Sequence, residues 1–267
     1  MKTKILVTGS NGQLGQTIKA LYANYSKAYE FTFLSKSDLD ISNESEVFEI
    51  FKANNYNYCI NCAAYTNVEQ AEKTPELAFI INAEAVKNLA KACRNHDTIL
   101  IHISTDYVFD GEKRTPYSIE DTTNPINEYG KSKLQGELYI KENYSKHFIV
   151  RTSWLYSKTF GKNFYKTILN KIGQTEEIRI TDAQLGCPTN CDNLANYIYK
   201  IITSKTTKFG TYHYCDKTQM SWFDFAYVIL KENQVLDRVK LIKDNNYVTF
   251  AKRPSYSVLK PTEIANH

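Results

Sequence analysis

Glycine is scarce in this chain: 10 of 267 residues, about 4% where roughly 7% is usual. Three of those ten lie within the first fifteen positions, so their placement is expected to matter. Long apolar runs are missing as well. No stretch reaches the ~18 residues that would span a membrane. The N-terminus, Met1-Lys-Thr-Lys4 followed by the short segment Ile5 to Ser10, lacks the apolar core and cleavage site of a signal peptide. Charge of one sign is not in excess either. With 33 basic and 29 acidic residues the net charge is +4, too mild to point to nucleic acid. Cys59-x-x-Cys62 falls on a buried strand, where positions three apart point to opposite faces, and Cys187 and Cys191 lack a matching second pair, so no metal site is expected. Small buried thiols in a reducing cytoplasm are the reading for all six cysteines.

What is present is ordinary for a globular protein: 42% hydrophobic and 23% charged residues, which excludes disorder, collagen and coiled coil as whole-chain descriptions. The length allows one large domain or two lobes with a sizeable core. Strands and helices alternate. Lys4–Thr8, Phe31–Leu34, Tyr58–Ala63, Thr98–Ile103 and His147–Arg151 read as buried strands. Helical faces follow from Leu14 through Leu21, after an Asn43 cap, after Thr74-Pro75 through Ala92, and over Tyr129–Ile140. This order predicts an α/β fold with a Rossmann-type, doubly wound parallel sheet. Residues 1–152 are expected to form the dinucleotide-binding domain. Residues 153–267 are expected to be mainly a smaller substrate lobe, with segments near 177–203 returning to the main sheet. Within that half Gly161–Ile172, Asp192–Ile202 and Trp222–Leu230 read as helices, and Glu177–Thr181 and Thr211–Cys215 as strands.

The segment Thr8-Gly9-Ser10-Asn11-Gly12-Gln13-Leu14-Gly15 sits between the first strand and the first helix. Glycines there permit a tight turn and let the backbone approach a pyrophosphate, while the helix N-terminus offers free N–H groups. After the second strand comes Ser35-Lys36-Ser37, where an acid would favour a free ribose 2′-hydroxyl. A cation with two hydroxyls favours a 2′-phosphate, hence NADPH, with NADH as the alternative. Tyr129 and Lys133 lie four apart on one helical face. A neighbouring ammonium is expected to pull the Tyr129 phenol down towards neutrality for proton transfer. Thr105 ends a strand at the carboxyl edge of the sheet and is expected to bond the substrate oxygen, with Ser104 as the nearby alternative.

With these residues together, the chain resembles the extended short-chain dehydrogenase/reductase superfamily and, within it, the dTDP-4-dehydrorhamnose reductases. The strings that carry the resemblance include Gly12-Gln-Leu-Gly15, Asp38-Leu-Asp-Ile41, Asn61-Cys-Ala-Ala-Tyr-Thr66, Ser104-Thr-Asp-Tyr-Val-Phe-Asp-Gly111, Tyr129-Gly-Lys-Ser-Lys133, Arg151-Thr-Ser-Trp154, Asp182-Ala-Gln-Leu-Gly-Cys-Pro-Thr189 and Arg253-Pro254. The resemblance implies reduction of a nucleotide-linked 4-keto-6-deoxy sugar by hydride transfer to C4. It implies a catalytic triad of Thr105, Tyr129 and Lys133. Cofactor contacts carried over by position are Gly12, Gln13, Leu14, Asp40, Ala63, Ala64 and Tyr65, beside Gly9, Gly15, Ser35 and Lys36 from the loop reading, and Tyr129 and Lys133, whose ammonium is expected to bond the nicotinamide ribose. Val68, Trp154 and Arg253 are implied as substrate contacts, beside Ser104, Thr105 and Tyr129.

Two other readings share much of this sequence. Dehydratases of similar sequence carry Thr-Asp-Glu, and here Tyr107 stands where the glutamate would be; epimerisation is weighed against less strongly. A non-catalytic regulatory subunit, like that of methionine adenosyltransferase, is the alternative of a different class. A homodimer is the expected assembly. Some similar reductases pair through a magnesium site, but Gln16 and Cys191 stand near two of its acidic positions here, with Asp192 remaining. The chain ends eight residues after Leu259, where similar reductases continue into a further helical closing element, so a missing cap is expected.

Overall fold

The computed structural model describes residues 2–23, 27–244 and 246–264. The first half is built from β1 (Thr3–Thr8), α1 (Gln13–Tyr22), β2 (Tyr29–Leu34), α2 (Glu44–Ala53), β3 (Tyr58–Asn61), α3 (Val68–Lys73), α4 (Pro75–Phe79), α5 (Ala85–Asn95), β4 (Ile99–Thr105), α6 (Glu128–Asn143) and β5 (His147–Thr152). The second half adds β6 (Leu155–Tyr156), α7 (Phe164–Lys171), β7 (Glu177–Ile180), β8 (Leu185–Gly186), β9 (Thr189–Asn190), α8 (Cys191–Ser204), β10 (Gly210–His213), β11 (Met220–Ser221), α9 (Trp222–Glu232) and β12 (Lys240–Lys243).

Six strands form one sheet in the order β10-β5-β4-β3-β1-β2, and every neighbouring pair is parallel. Alternating side chains cover its two faces, as the two-residue period of a strand dictates. Ile5, Val7, Ile60, Ile101 and Phe148 pack with Leu14 and Ile18 of α1 and Leu194 and Ile198 of α8. Leu6, Cys59, Leu100 and Ile149 pack on the other side with Val47 and Phe51 of α2, Leu89 of α5 and Ile140 of α6. Cys59 and Cys62 belong to opposite faces, as expected of positions three apart. The expected doubly wound parallel sheet is thus present. The order reverses between β1 and β3, which opens a crevice at the carboxyl ends of the strands.

The sequence periodicity predicts one helix from Pro75 to beyond Ala92. A π-helical turn at Ile80–Glu84 interrupts it. There the buried Asn82 donates to the Tyr65 carbonyl (3.0 Å) and the Ser132 hydroxyl (3.0 Å). A Cβ on Gly136 of α6 would lie 2.1 Å from the Asn82 carbonyl oxygen, so α6 docks against the turn only because that position is glycine. The expected Thr74 cap is absent. Its hydroxyl donates back to the Gln70 carbonyl (3.1 Å), because a short helix absent from the sequence reading, α3, ends there.

The second half differs from expectation in one respect. Strand β7 does not return to the main sheet; it pairs in parallel with β12. Together they cover a separate core of Tyr165, Ile168, Ile178, Phe225, Ile229 and Leu230 between α7 and α9. The return to the main sheet is made instead by α8 against α1 and by β10 beside β5. Among the described residues no helix is long and apolar enough to cross a membrane. Ala265, Asn266 and His267, at the expected missing cap, lie outside the described residues.

Candidate active site

The glycine loop turns directly over the end of β3. Gly9 has φ 65°, and a Cβ there would lie 2.5 Å from the Ala63 nitrogen, so only glycine lets the two backbones touch. Gly12 caps α1 without a side chain. The first-turn N–H groups, which have no partner within the helix, therefore face the space above the sheet. That space is a cavity of about 460 Å³. Asn11, Gly12, Gln13 and Leu14 line one wall; Ser104, Thr105, Asp106, Tyr129 and Lys133 line the other. A neighbouring cavity of about 240 Å³ shares Asn11, Gly12, Cys62 and Ala64 with it and adds Gly9, Lys36, Leu39, Asp40 and Ala63. A third, of about 310 Å³, is lined by Arg179, Gln184, Trp222 and Arg253 in the second half of the chain. Trp154 of the first cavity stacks on Trp222 of the third, with ring centroids 3.6 Å apart.

The structure brings Thr105, Tyr129 and Lys133 together. Thr105 accepts the Tyr107 N–H (3.1 Å) and donates to Asp106 Oδ1 (3.1 Å). Burial pushes the Tyr129 phenol above its ordinary value, and the nearby Thr105 hydroxyl offsets this only in part. The Lys133 ammonium does not reach that phenol. Its Nζ donates to the Ile103 carbonyl (2.6 Å) and lies 3.4 Å from His102 Nε2. Burial lowers Lys133 to about 8, against the pull of Glu137. The expected lowering of Tyr129 by a lysine one turn away is therefore reversed: burial outweighs a charge that points elsewhere.

Other expected residues divide. Ala63, Ala64, Lys36 and Asp40 line the small cavity, and Trp154 the large one. Ser104 lines the cavity, but its hydroxyl is taken by Glu137 Oε1 (2.6 Å). Gln13 sends its side chain to the Leu155 carbonyl (3.0 Å) and receives Asn163 (3.1 Å), tying the loop to the second half of the chain. Gly15, Ser35, Tyr65 and Val68 line none of the three cavities. A Cβ on Gly15 would lie 2.6 Å from Ser10 Cα; the Ser35 hydroxyl donates to Asp38 Oδ2 (2.6 Å); the Tyr65 N–H donates to Asn82 (2.9 Å). Arg253 spends its fork on Glu69 (2.8 Å) and the Tyr107 hydroxyl (3.1 Å), leaving a buried Nε unpartnered beside the third cavity.

The sequence gives Asp106 no role of its own, although it stands inside the Ser-Thr-Asp string. It is buried in the cavity wall with Oδ2 unpartnered, and burial pushes it up to about 7. The residues present fit a nicotinamide dinucleotide. An uncapped helix N-terminus and a backbone cradle at Gly9 suit a pyrophosphate, and Lys36 stands at the far end of the groove. The parallel sheet, the glycine loop and this cluster together define a Rossmann-fold oxidoreductase.

The comparisons with known proteins narrow the class. The model of the RmlD substrate binding domain family matches residues 3–267, and the chain belongs to that family. A dTDP-4-dehydrorhamnose reductase from Aggregatibacter actinomycetemcomitans is 38% identical over 98% of this chain and 92% of its own. The crystal structure of a dTDP-4-dehydrorhamnose reductase from Bacillus anthracis in complex with NADP is 38% identical, with TM-score 0.93 over 98% of this chain and 92% of that one. One from Clostridium acetobutylicum is 40% identical, with TM-score 0.91 over 97% and 90% of the two chains.

Proposed function

We propose that the protein reduces dTDP-4-dehydro-6-deoxy-L-mannose to dTDP-L-rhamnose with NADPH, in the cytoplasm. One observation carries the chemistry: Thr105, Tyr129 and Lys133 line the same cavity as the bare N-terminus of α1. NADPH bound along that wall supplies the hydride to sugar C4. Tyr129, whose phenol burial keeps protonated at neutral pH, donates its proton to the developing C4 oxyanion. Thr105 hydrogen-bonds the same oxygen and steadies the charge. Lys133, lowered to about 8, holds a proton loosely, and because its Nζ does not touch the phenol it resupplies Tyr129 through a bridging hydroxyl or water. Trp154 and the Trp222 surface beyond it accept the rest of the nucleotide sugar.

Changing Tyr129 to Phe should lower turnover about 10²- to 10⁴-fold, the usual worth of a positioned acid. NADPH affinity should stay unchanged. Near-normal turnover in that variant would refute the assignment.

A further inference from the structure

His102 has no role in the chemistry above, yet it is fully buried on β4, directly behind Lys133. Its orientation follows from Asn61. Asn61 Oδ1 accepts the Thr8 hydroxyl (2.7 Å) and the Ala63 N–H (3.1 Å). A backbone N–H only donates, so the amide oxygen must face that way. The amide Nδ2 then lies 3.0 Å from His102 Nδ1. An amide NH₂ also only donates, so Nδ1 must accept. Burial first, then the Lys133 charge, holds the imidazole far below its ordinary value, so the ring is neutral. A neutral ring that accepts at Nδ1 carries its hydrogen on Nε2, the nitrogen 3.4 Å from Lys133 Nζ.

We propose that Asn61 locks His102 as an Nε2–H donor aimed at Lys133, making His102 the positioning residue that sets which form of the lysine nitrogen the site holds. An ammonium has N–H bonds and no lone pair, so it meets the Nε2–H donor to donor. The amine offers a lone pair and accepts it, while still donating to the Ile103 carbonyl. The other groups facing Lys133 are few. Glu137, one turn further along α6, favours the charged form but is itself committed to Arg151 through contacts of 2.6 and 2.9 Å. The Cys62 thiol stands beyond β3, and Tyr129 one turn back. The β4 ring is the group in direct contact that works against the ammonium. The chain Thr8–Asn61–His102–Lys133 thus carries a donor–acceptor order across β1, β3 and β4 to α6.

The functional consequence rests on the reading that Lys133 relays the proton to Tyr129; the test separates the two. Nitrogen-15 NMR of histidine-labelled protein, with the His102 signal assigned by its loss in His102→Gln, reads the tautomer directly. A neutral ring protonated at Nε2 across the neutral range is expected; protonation at Nδ1, or at both nitrogens, would overturn the proposal. Asn61→Asp turns the donor facing Nδ1 into an acceptor and should switch the ring to Nδ1–H. The alkaline limb of kcat/KM should then move up by about one pH unit. His102→Phe and the double variant separate ring orientation from added charge. Adding Asn61→Asp to His102→Phe should move the limb less; an equal shift would overturn the proposal. If Lys133→Ala leaves the alkaline limb in place, the relay reading fails instead, while the ring spectrum still decides whether His102 is the donor.

Discussion

Tyr129 and Asp106 face one cavity, and burial acts on both in the same direction: each keeps its proton longer than in water. For Asp106 this has a consequence for stability. Its value rises from 3.8 to about 7 on folding. A group raised in this way contributes stability that is complete below its unfolded value and is lost as the pH climbs through its folded value. Wild-type stability should therefore fall between pH 3.8 and about 7 through this residue. Asp106→Asn should remove that loss, so denaturation midpoints compared across this window should shift progressively in favour of the variant; a constant difference would contradict the assignment. Thr105, Tyr129 and Lys133 were legible because each stands inside a distinctive local string. The orphaned Asp106 oxygen, the Lys133 contact with His102 and the reach of Gln13 to Leu155 were not. They depend on partners brought together by the sheet, in the last case 142 positions away.

Helix α6 carries Tyr129 and Lys133, and its placement is set by what lies behind them. Glu137, two turns after Tyr129, is fully buried and holds Arg151 of β5 in a two-pronged contact of 2.9 and 2.6 Å. The same carboxylate takes the Ser104 hydroxyl at 2.6 Å, which fixes the strand end that presents Thr105. Removing one partner of such a pair leaves a buried charge uncompensated. Glu137→Ala should cost about 3–5 kcal/mol in urea denaturation. Replacing both Glu137 and Arg151 with apolar residues should restore much of that, and a double variant as unstable as the single one would contradict the account. Most elements were readable from period and caps; Asn43, for example, does accept the Glu46 N–H at 3.3 Å. The π turn at Ile80–Glu84 was not, because one extra residue per turn barely disturbs an apolar helical pattern.

Across the molecule, the glycine loop and the sheet with α6 supply the two walls of the site, and Trp154, Leu155 and Gly161 of the second half add to its lining. The stacked pair Trp154 and Trp222 joins the two cavities, and Trp154 sits at φ 47°, a strained conformation for a bulky residue. Trp222→Ala should raise the KM for the nucleotide sugar about tenfold while leaving NADPH affinity unchanged; steady-state kinetics with separate cofactor titration checks both. The α/β alternation made the main sheet legible from sequence. The second half was less so. The short strand β7 carries the same apolar signal whether it joins the main sheet or pairs with β12, and only the long-range pairing decides. The scarce glycines were informative at both scales, at Gly9 for the cofactor loop and at Gly136 for the seat of α6. The proposed reaction delivers a hydride to sugar C4 in this cavity. Incubating the protein with dTDP-4-dehydro-6-deoxy-L-mannose and NADPH deuterated at both prochiral positions of nicotinamide C4, then identifying the sugar, tests this delivery. dTDP-L-rhamnose carrying the deuterium at C4 is expected; unconsumed NADPH, or a product without label at C4, would rule the reaction out.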